Sequence, residues 1–151
     1  PKDQEWIQND NFEQGEFTSF MKTVQRLRFT GNNGIYLNKA KARKHRLELT
    51  FSDPVKPDSI QKGIFSATAW NYRWSRGYGS PSFKVTDPET RGDDKLEIEA
   101  LDLSKDGKTL TVRIPELLPC HNLKLDFAVD GANGGQLSGP VYFTIHELPE
   151  S

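Results

Sequence analysis

Apolar and polar residues alternate with a period of two along much of this chain. In the segment Arg46–Phe51, for example, Leu47, Leu49 and Phe51 fall on one face and polar residues on the other. Such alternation is typical of strands that bury one face and leave the other in water. We predict strands in the segments that share it: 46–51, 96–100, 109–114, 123–129 and 141–145.

The segments between these runs are rich in Gly, Pro, Asn and Asp, which favour turns. Asp106-Gly107 lies between two strand-like runs, and glycine accepts the positive φ of a tight hairpin turn. No stretch carries an apolar stripe at helical spacing over three turns, and we expect only one helical turn near residues 57–60, capped by Asp58 or Ser52. The pattern predicts an all-β protein, a two-sheet antiparallel sandwich of about seven to nine strands.

The first part of the chain has a different composition. Residues 1–20 are rich in Gln, Asn and Glu, with aromatic residues scattered among them and no clear period. We therefore predict a leader or linker over 1–20, the β-sandwich over 21–148 and a short tail over 149–151. Because the chain starts with Pro1 rather than Met, we expect it to be a piece of a longer polypeptide, with any export signal upstream.

The charge balance excludes several classes of partner. The 151 residues include 20 Lys and Arg against 21 Asp and Glu, for a net charge of −1. A nucleic-acid binder or an anionic-membrane binder needs a basic surplus, so we predict neither partner. No apolar run approaches the roughly 20 residues that span a bilayer, so we predict no membrane insertion. The single cysteine, Cys120, excludes an internal disulfide and a cysteine-built zinc site.

Two charged segments stand out within this balance. The basic run 39–46 could hold phosphate or sulfate groups, but we favour a solvated loop that leads into a strand. The acidic segment Asp87–Asp94 could hold calcium through its carboxylate oxygens, although it lacks the spacing of an EF-hand loop. There too a solvated loop is the favoured interpretation.

Residues that could carry catalysis are scarce. The three histidines lie in different runs and at no metal-ligand spacing. Cys120 and His121 are neighbours, which on a strand point to opposite faces and do not form a nucleophile–base pair. We predict no enzyme, no catalytic residue, no metal and no cofactor; an enzymatic alternative depends on a cleft built around Asp87, Asp93 and Asp94.

The most informative segment is aromatic. If it is extended, Trp70, Tyr72 and Trp74 share one face at intervals of about 6.6–6.8 Å. Such a row of rings can stack on sugars, or it can cover one end of the sandwich core. Phe65, Ala67 and Ala69 occupy the opposite phase, so either the core face switches through a bulge or one set faces solvent. The candidate ligand-binding residues are Trp70, Asn71, Tyr72, Arg73, Trp74, Arg76 and Tyr78.

Several segments resemble a known family. Leu47–Val55, with Thr-Phe-Ser-Asp-Pro-Val, is similar to the opening of bacterial Ig-like domains of the S-layer type. Trp70–Pro81, Leu103–Leu110 and Tyr142–Leu148 resemble an Ig-like module of large secreted proteins from Planctomycetes and Verrucomicrobia. Gln25–Gly31 is similar to the opening strand of that module.

The resemblance implies an Ig-like fold and a function. The parent proteins of such modules combine sorbosone-dehydrogenase-like propellers with c-type haem domains. The resemblance thus implies a secreted or periplasmic, noncatalytic accessory module, a spacer or docking unit whose partners are the neighbouring domains of its chain. The chain has no C-x-x-C-H motif and so cannot attach a haem itself. The alternative is a carbohydrate-binding module that holds polysaccharide on the aromatic segment.

Overall fold

The described part of the protein is a sandwich of two antiparallel sheets. The computed structural model describes residues 34–77 and 79–150. The predicted leader, the predicted opening strand over 25–31, Tyr78 and the last residue of the tail lie outside these residues. The nine strands are β1 (Leu37–Arg43), β2 (Arg46–Phe51), β3 (Ser66–Tyr72), β4 (Ser82–Phe83), β5 (Asp94–Leu96), β6 (Ala100–Leu103), β7 (Thr109–Arg113), β8 (Cys120–Asp130) and β9 (Gln136–Ile145).

The two sheets have four and five strands. The first sheet has the strand order β1-β2-β7-β6, and the second has the order β4-β3-β8-β9, with β5 also paired to β3. All described strand pairings are antiparallel. The prediction of an all-β antiparallel sandwich with seven to nine strands is therefore confirmed.

The core fills the space between the sheets with the alternating apolar residues. Leu47, Leu49 and Leu110 of the first sheet are 0% exposed, as are Leu123 and Leu125 of the second. No polar or charged side chain is buried within residues 34–77 and 79–150. The side chains of this interior therefore make only apolar contacts with one another.

Most of the predicted strands are confirmed. The segments 46–51, 109–114, 123–129 and 141–145 fall on β2, β7, β8 and β9. The predicted single strand over 96–100 is wrong, because β5 ends at Leu96 in the second sheet and β6 begins at Ala100 in the first. Between them Ile98 is 5% exposed and packs in the core. The alternation here marks a chain that crosses from one sheet to the other.

The basic run is not the loop that we favoured from the sequence. Lys39 to Arg43 belong to β1, Arg46 starts β2, and only Lys44 and His45 form the turn between them. The inner positions of β1 are Ala40 and Ala42, which pack against the core. Because alanine gives a weak hydrophobic signal, the period of two was hidden among the charges.

The turns follow the local sequence. The predicted Asp106-Gly107 hairpin is confirmed: Gly107 has a φ of 71° and joins β6 to β7. The predicted helical turn is a 3-10 turn over Pro57–Ser59, but neither Asp58 nor Ser52 caps it. Ser52 instead donates its hydroxyl to Asp53, so the predicted cap is wrong. Among the described residues, no helix has the length and apolar character needed to cross a bilayer.

Candidate functional site

The first half of the aromatic segment lies on the outer face of the second sheet. Ala67 and Ala69 of β3 are buried at 3% and 2% exposure. The register of β3 with β8 runs without a shift from Ser66 to Trp70. The core face therefore does not switch through a bulge, and Trp70 and Tyr72 point away from the core. Trp70 is half-buried, and Tyr72 is 46% exposed.

Trp74 lies beyond the strand. Because β3 ends at Tyr72, the strand-like spacing that we predicted for three rings holds for two of them. Trp74 stands in the loop that leads to β4 and is 87% exposed, the most exposed of the large hydrophobic residues in the described ranges. Arg76 is also exposed in this loop.

Two hydrogen bonds between backbone and side chain connect the end of β3 to the start of β8. The backbone N–H of Tyr72 donates to Nδ1 of His121 at 3.0 Å, and the two rings stack with centroids 6.2 Å apart. In return, the backbone N–H of His121 donates to Oδ1 of Asn71 at 2.8 Å. Two candidate binding residues, Asn71 and Tyr72, are thus held in fixed positions by contacts within the protein.

Arg73 is occupied by the neighbouring loop. Its Nη2 donates to the carbonyl oxygen of Pro88 at 2.6 Å and to the carboxylate of Glu89. Its guanidinium also lies 4.7 Å from the centre of the Phe83 ring. The hydrogen bond to Glu89 raises the pKa of Arg73. Arg73, one of the predicted polar partners, therefore connects the loop after β3 to the loop that contains Pro88 and Glu89. Arg76, the other arginine of the segment, is exposed.

One aromatic residue of this face was missed by the sequence analysis. Tyr142 of β9 pairs with Lys124 of β8, which pairs with Thr68 of β3, so all three lie on the same outer face as Trp70. Tyr142 is 59% exposed. A hydrogen bond from the Lys124 ammonium to Asp126 raises the pKa of Lys124. The wet phase of the β9 alternation was the signal that could have identified Tyr142.

The acidic segment is a loop closed by its own hydrogen bonds. Oδ2 of Asp94 accepts the backbone N–H groups of Val85 and Thr86 at 2.7 and 2.9 Å, and Oδ1 accepts the Thr86 hydroxyl at 2.9 Å. Asp87 accepts the Thr90 hydroxyl at 2.6 Å. Within the described ranges, no three His, Cys, Asp or Glu residues converge as a metal site would require. Asp87 and Asp94 therefore hold the loop together through hydrogen bonds.

The hydrogen bonds that Asp94 accepts predict that the free energy of unfolding depends on pH. Partial burial raises the pKa of Asp94, but hydrogen bonds from Thr86 and Val85 outweigh it, so the pKa lies below the usual value. The ionised carboxylate therefore stabilises the fold above about pH 4, and this contribution is lost as pH falls through the folded-state pKa. At pH 7 we expect Asp94→Asn to lower the free energy of unfolding by about 1 kcal/mol, given solvent screening. Urea titrations at several pH values measure it, and a gap between variant and wild type that persists unchanged at pH 2 contradicts it.

Cys120 and the histidines do not meet in a reactive cluster. Cys120 is 4% exposed on the inner face, and burial raises the pKa of its thiol to about 11. His121 is exposed on the opposite side, as the alternation predicted. His45 lies in the β1–β2 turn, where its Nδ1 is 2.6 Å from the carbonyl oxygen of Pro115. A carbonyl only accepts, so Nδ1 is the protonated nitrogen of that ring.

Comparisons with known proteins bear on the fold. No protein-family model matches this chain, and no curated protein matches it. The crystal structure of the S-layer protein rSbsC(31-844) matches 75% of this chain at 15% identity, with a TM-score of 0.51. This chain spans only 14% of that S-layer chain. At this identity the likeness shows a shared β-sandwich fold.

Two further solved structures match with lower scores. The structure of surface layer protein SbsC, domains 1-6, covers 74% of this chain and 14% of its own at 13% identity, with a TM-score of 0.47. The selenomethionine form of PcoC, a copper resistance protein from Escherichia coli, covers 73% of this chain and 98% of its own. Its identity is 14% and its TM-score 0.49.

Proposed function

We propose that this chain is a noncatalytic, Ig-like accessory module of a secreted or periplasmic multidomain bacterial protein. It acts as a spacer or docking unit beside a domain that carries catalysis or electron transfer. The observation that carries the proposal is the interior: in the described part of the chain every buried side chain is apolar. A two-sheet sandwich with a close-packed apolar core is stiff, so it fixes the distance and orientation of what is attached to its ends.

The shared fold supports this role. The S-layer chain with the similar fold is much longer, and the matched part is 14% of it. A β-sandwich of this type is thus found as one unit within a long chain. The resemblance of Trp70–Pro81 and Tyr142–Leu148 to modules beside propeller and c-type haem domains leads us to expect such neighbours here.

The gene around this chain tests the accessory role. We expect the same reading frame to encode at least one further folded domain, with an export signal before the first. A reading frame that begins and stops at the ends of this chain would contradict the proposal. Co-purification of the chain with the adjacent domain, expressed separately, then measures docking directly.

Absence of turnover is the second requirement of the proposal. We expect the purified chain to hydrolyse glycoside and ester panels no faster than a heat-denatured sample. Saturable turnover that is lost in a variant of Asp87, Asp93 or Asp94 would instead support the enzymatic alternative.

A second candidate function is carbohydrate binding. It is favoured by the exposure of three rings, Trp74, Tyr72 and Tyr142, at 87%, 46% and 59%. Tyr72 and Tyr142 stand on the outer face of β3, β8 and β9, where aromatic rings can stack on the faces of sugar rings. Asn122 and Thr68 of this face, together with Arg76 of the loop, are polar partners for hydroxyl groups.

Trp74→Ala tests the second candidate. We expect the substitution to weaken retardation in gels that contain a neutral polysaccharide by about tenfold or more, because aromatic side chains that a ligand covers on binding contribute much of the binding energy. Tyr36→Ala is the matched control, since Tyr36 is 55% exposed and lies outside the aromatic segment. If no polysaccharide retards the wild-type chain, the carbohydrate candidate is rejected and the accessory role is unaffected.

A further inference from the structure

Three arginines form one row across the outer face of the first sheet. Arg43 of β1 pairs with Arg46 of β2, and Arg46 pairs with Arg113 of β7. Directly paired residues of antiparallel strands point to the same face, with Cβ atoms about 4.5–5.5 Å apart. The row thus places three guanidinium groups side by side. Lys41 stands on the same face of β1, two residues before Arg43.

Two of these arginines each donate one N–H group to a carboxylate of a different acidic residue. Nε of Arg46 donates to Glu48 at 2.9 Å, and Nε of Arg113 donates to Asp102 at 2.7 Å. A guanidinium has five N–H donors, so each keeps its four terminal N–H groups for another acceptor. The side chains of Arg46 and Arg113 are 37% and 58% exposed, which leaves these donors open to solvent.

Protection of a sheet edge does not explain the row. Lysines and arginines on an edge strand discourage pairing with other chains, and this accounts for the cations of β1. Arg46 and Arg113 lie on β2 and β7, which are the two central strands of that sheet. Like charges directly opposite each other on a sheet are destabilising. Glu48 and Asp102 offset part of this repulsion, and a bound anion would offset more of it.

The row borders an open depression of about 690 Å³ whose lining residues are, apart from Pro115, of polar or charged types. Arg46 and Arg113 supply positive charge to it, as does Lys44, whose ammonium also contacts Glu150 at 2.6 Å. Asp102 and Glu99 supply carboxylates, and Thr111 supplies a hydroxyl. A ligand suited to this lining carries anionic groups for the guanidiniums and hydroxyl donors for the carboxylates. A sugar chain with a carboxylate or sulfate on some of its residues has both.

We propose that this surface, which we call the arginine face (Arg43, Arg46, Arg113, Lys41 and Lys44), binds an acidic polysaccharide. The anionic groups accept hydrogen bonds from the terminal N–H groups of the arginines, and the sugar hydroxyls bond to Asp102, Glu99 and Thr111. This site is distinct from the aromatic segment, which lies on the other sheet, and it does not depend on the accessory role.

The lining argues against two other occupants. A protein partner needs an apolar interface centre with few charges, and Pro115 is the one apolar residue that lines the depression. A site that binds nucleic acid by base stacking uses Phe, Tyr or Trp rings, and none of these lines the depression, whose one ring is the imidazole of His45.

Affinity electrophoresis of the full chain tests the proposal. The probes are polygalacturonate and dextran sulfate, with hydroxyethyl cellulose as the neutral polymer and duplex DNA as the competing polyanion. We expect retardation by an acidic polysaccharide, weakened by salt because the contacts are charged. The variant Arg46→Gln/Arg113→Gln should weaken it at least about tenfold, since hydrogen bonds to charged groups are among the stronger ones.

Lys62→Gln/Lys105→Gln is the matched control, because it removes the same charge from two exposed turn positions. We expect it to bind as the wild type does. An equal loss in both variants means diffuse charge attraction and overturns the proposal, as does the absence of retardation or tighter binding of duplex DNA. If thermal unfolding shows that the arginine variant is not folded, Lys41→Gln/Arg43→Gln on the edge strand gives the same comparison.

Discussion

Replacing Phe127 with alanine is expected to lower the free energy of unfolding by about 3–5 kcal/mol. Phe127 is 5% exposed on β8, between Phe51 of the first sheet and Phe65, the residue before β3. Its ring centre lies 6.3 Å from that of Phe51 and 6.2 Å from that of Phe65. The truncation therefore removes the ring that joins the two sheets at this end of the core, and it leaves a cavity that rigid strands cannot close.

Urea unfolding followed by near-ultraviolet circular dichroism measures this loss. Because small domains have only about 5–15 kcal/mol of stability in total, the variant should unfold at a much lower urea concentration. Tyr142→Ala on the neighbouring strand is the control, since Tyr142 is 59% exposed and its loss should cost within about 0.5 kcal/mol. Equal destabilisation of the two variants would show that the ring cluster does not hold the sheets together.

Gly131→Ala is the second substitution with a large expected effect. Gly131 follows β8 and forms a β-bridge with Val55. A Cβ at this position would lie 2.6 Å from the carbonyl oxygen of Gly134 and 3.3 Å from Cβ of Ile35. The first neighbour is a backbone atom and the second is buried, so the turn that follows β8 must move. We expect a loss of about 1–3 kcal/mol, as for other overpacked positions.

Gly77→Ala provides the comparison for that substitution. Within residues 34–77 and 79–150, no atom beyond Gly77 and its two chain neighbours lies within 4 Å of a Cβ built at Gly77, and the φ of Gly77 is not positive. An alanine there should leave the stability unchanged or raise it by up to about 1 kcal/mol, because it restricts the unfolded chain. Thermal unfolding of the two variants separates the close contact at Gly131 from a general effect of replacing glycine. A Gly131→Ala variant as stable as Gly77→Ala would mean that the turn adapts without cost.

The strands that could be predicted are those with large apolar residues on the inner face. In β2 and β7 the inner positions are Leu and Val, so the alternation was plain in the sequence. In β1 the inner residues are Ala40 and Ala42, and the charges between them suggested a loop. The segment 96–100 alternates equally well, yet it crosses between the sheets. Periodicity reports which side a residue faces, and it does not report which sheet the strand joins.

Ligand binding by the aromatic segment stays a prediction. The sequence analysis identified the aromatic segment as the most informative stretch, and Trp74 and Tyr72 of that segment are exposed. Tyr142 joins the outer face of Trp70 and Tyr72 only through the pairing of β9 with β8. Arg113 is likewise more than sixty positions from Arg46 in the chain, and only the pairing of β7 with β2 sets them side by side.

By itself, the sequence determined the fold class, the apolar inner faces of the main strands and the opposite orientations of Cys120 and His121, because a period of two and the chemistry of turns are local properties of the chain. The tertiary structure alone decided which strands share a sheet, that the rings of β3 face outward, and that three arginines stand in one row. Those features depend on register between distant segments, and register is set by how both inner faces fit together in one core.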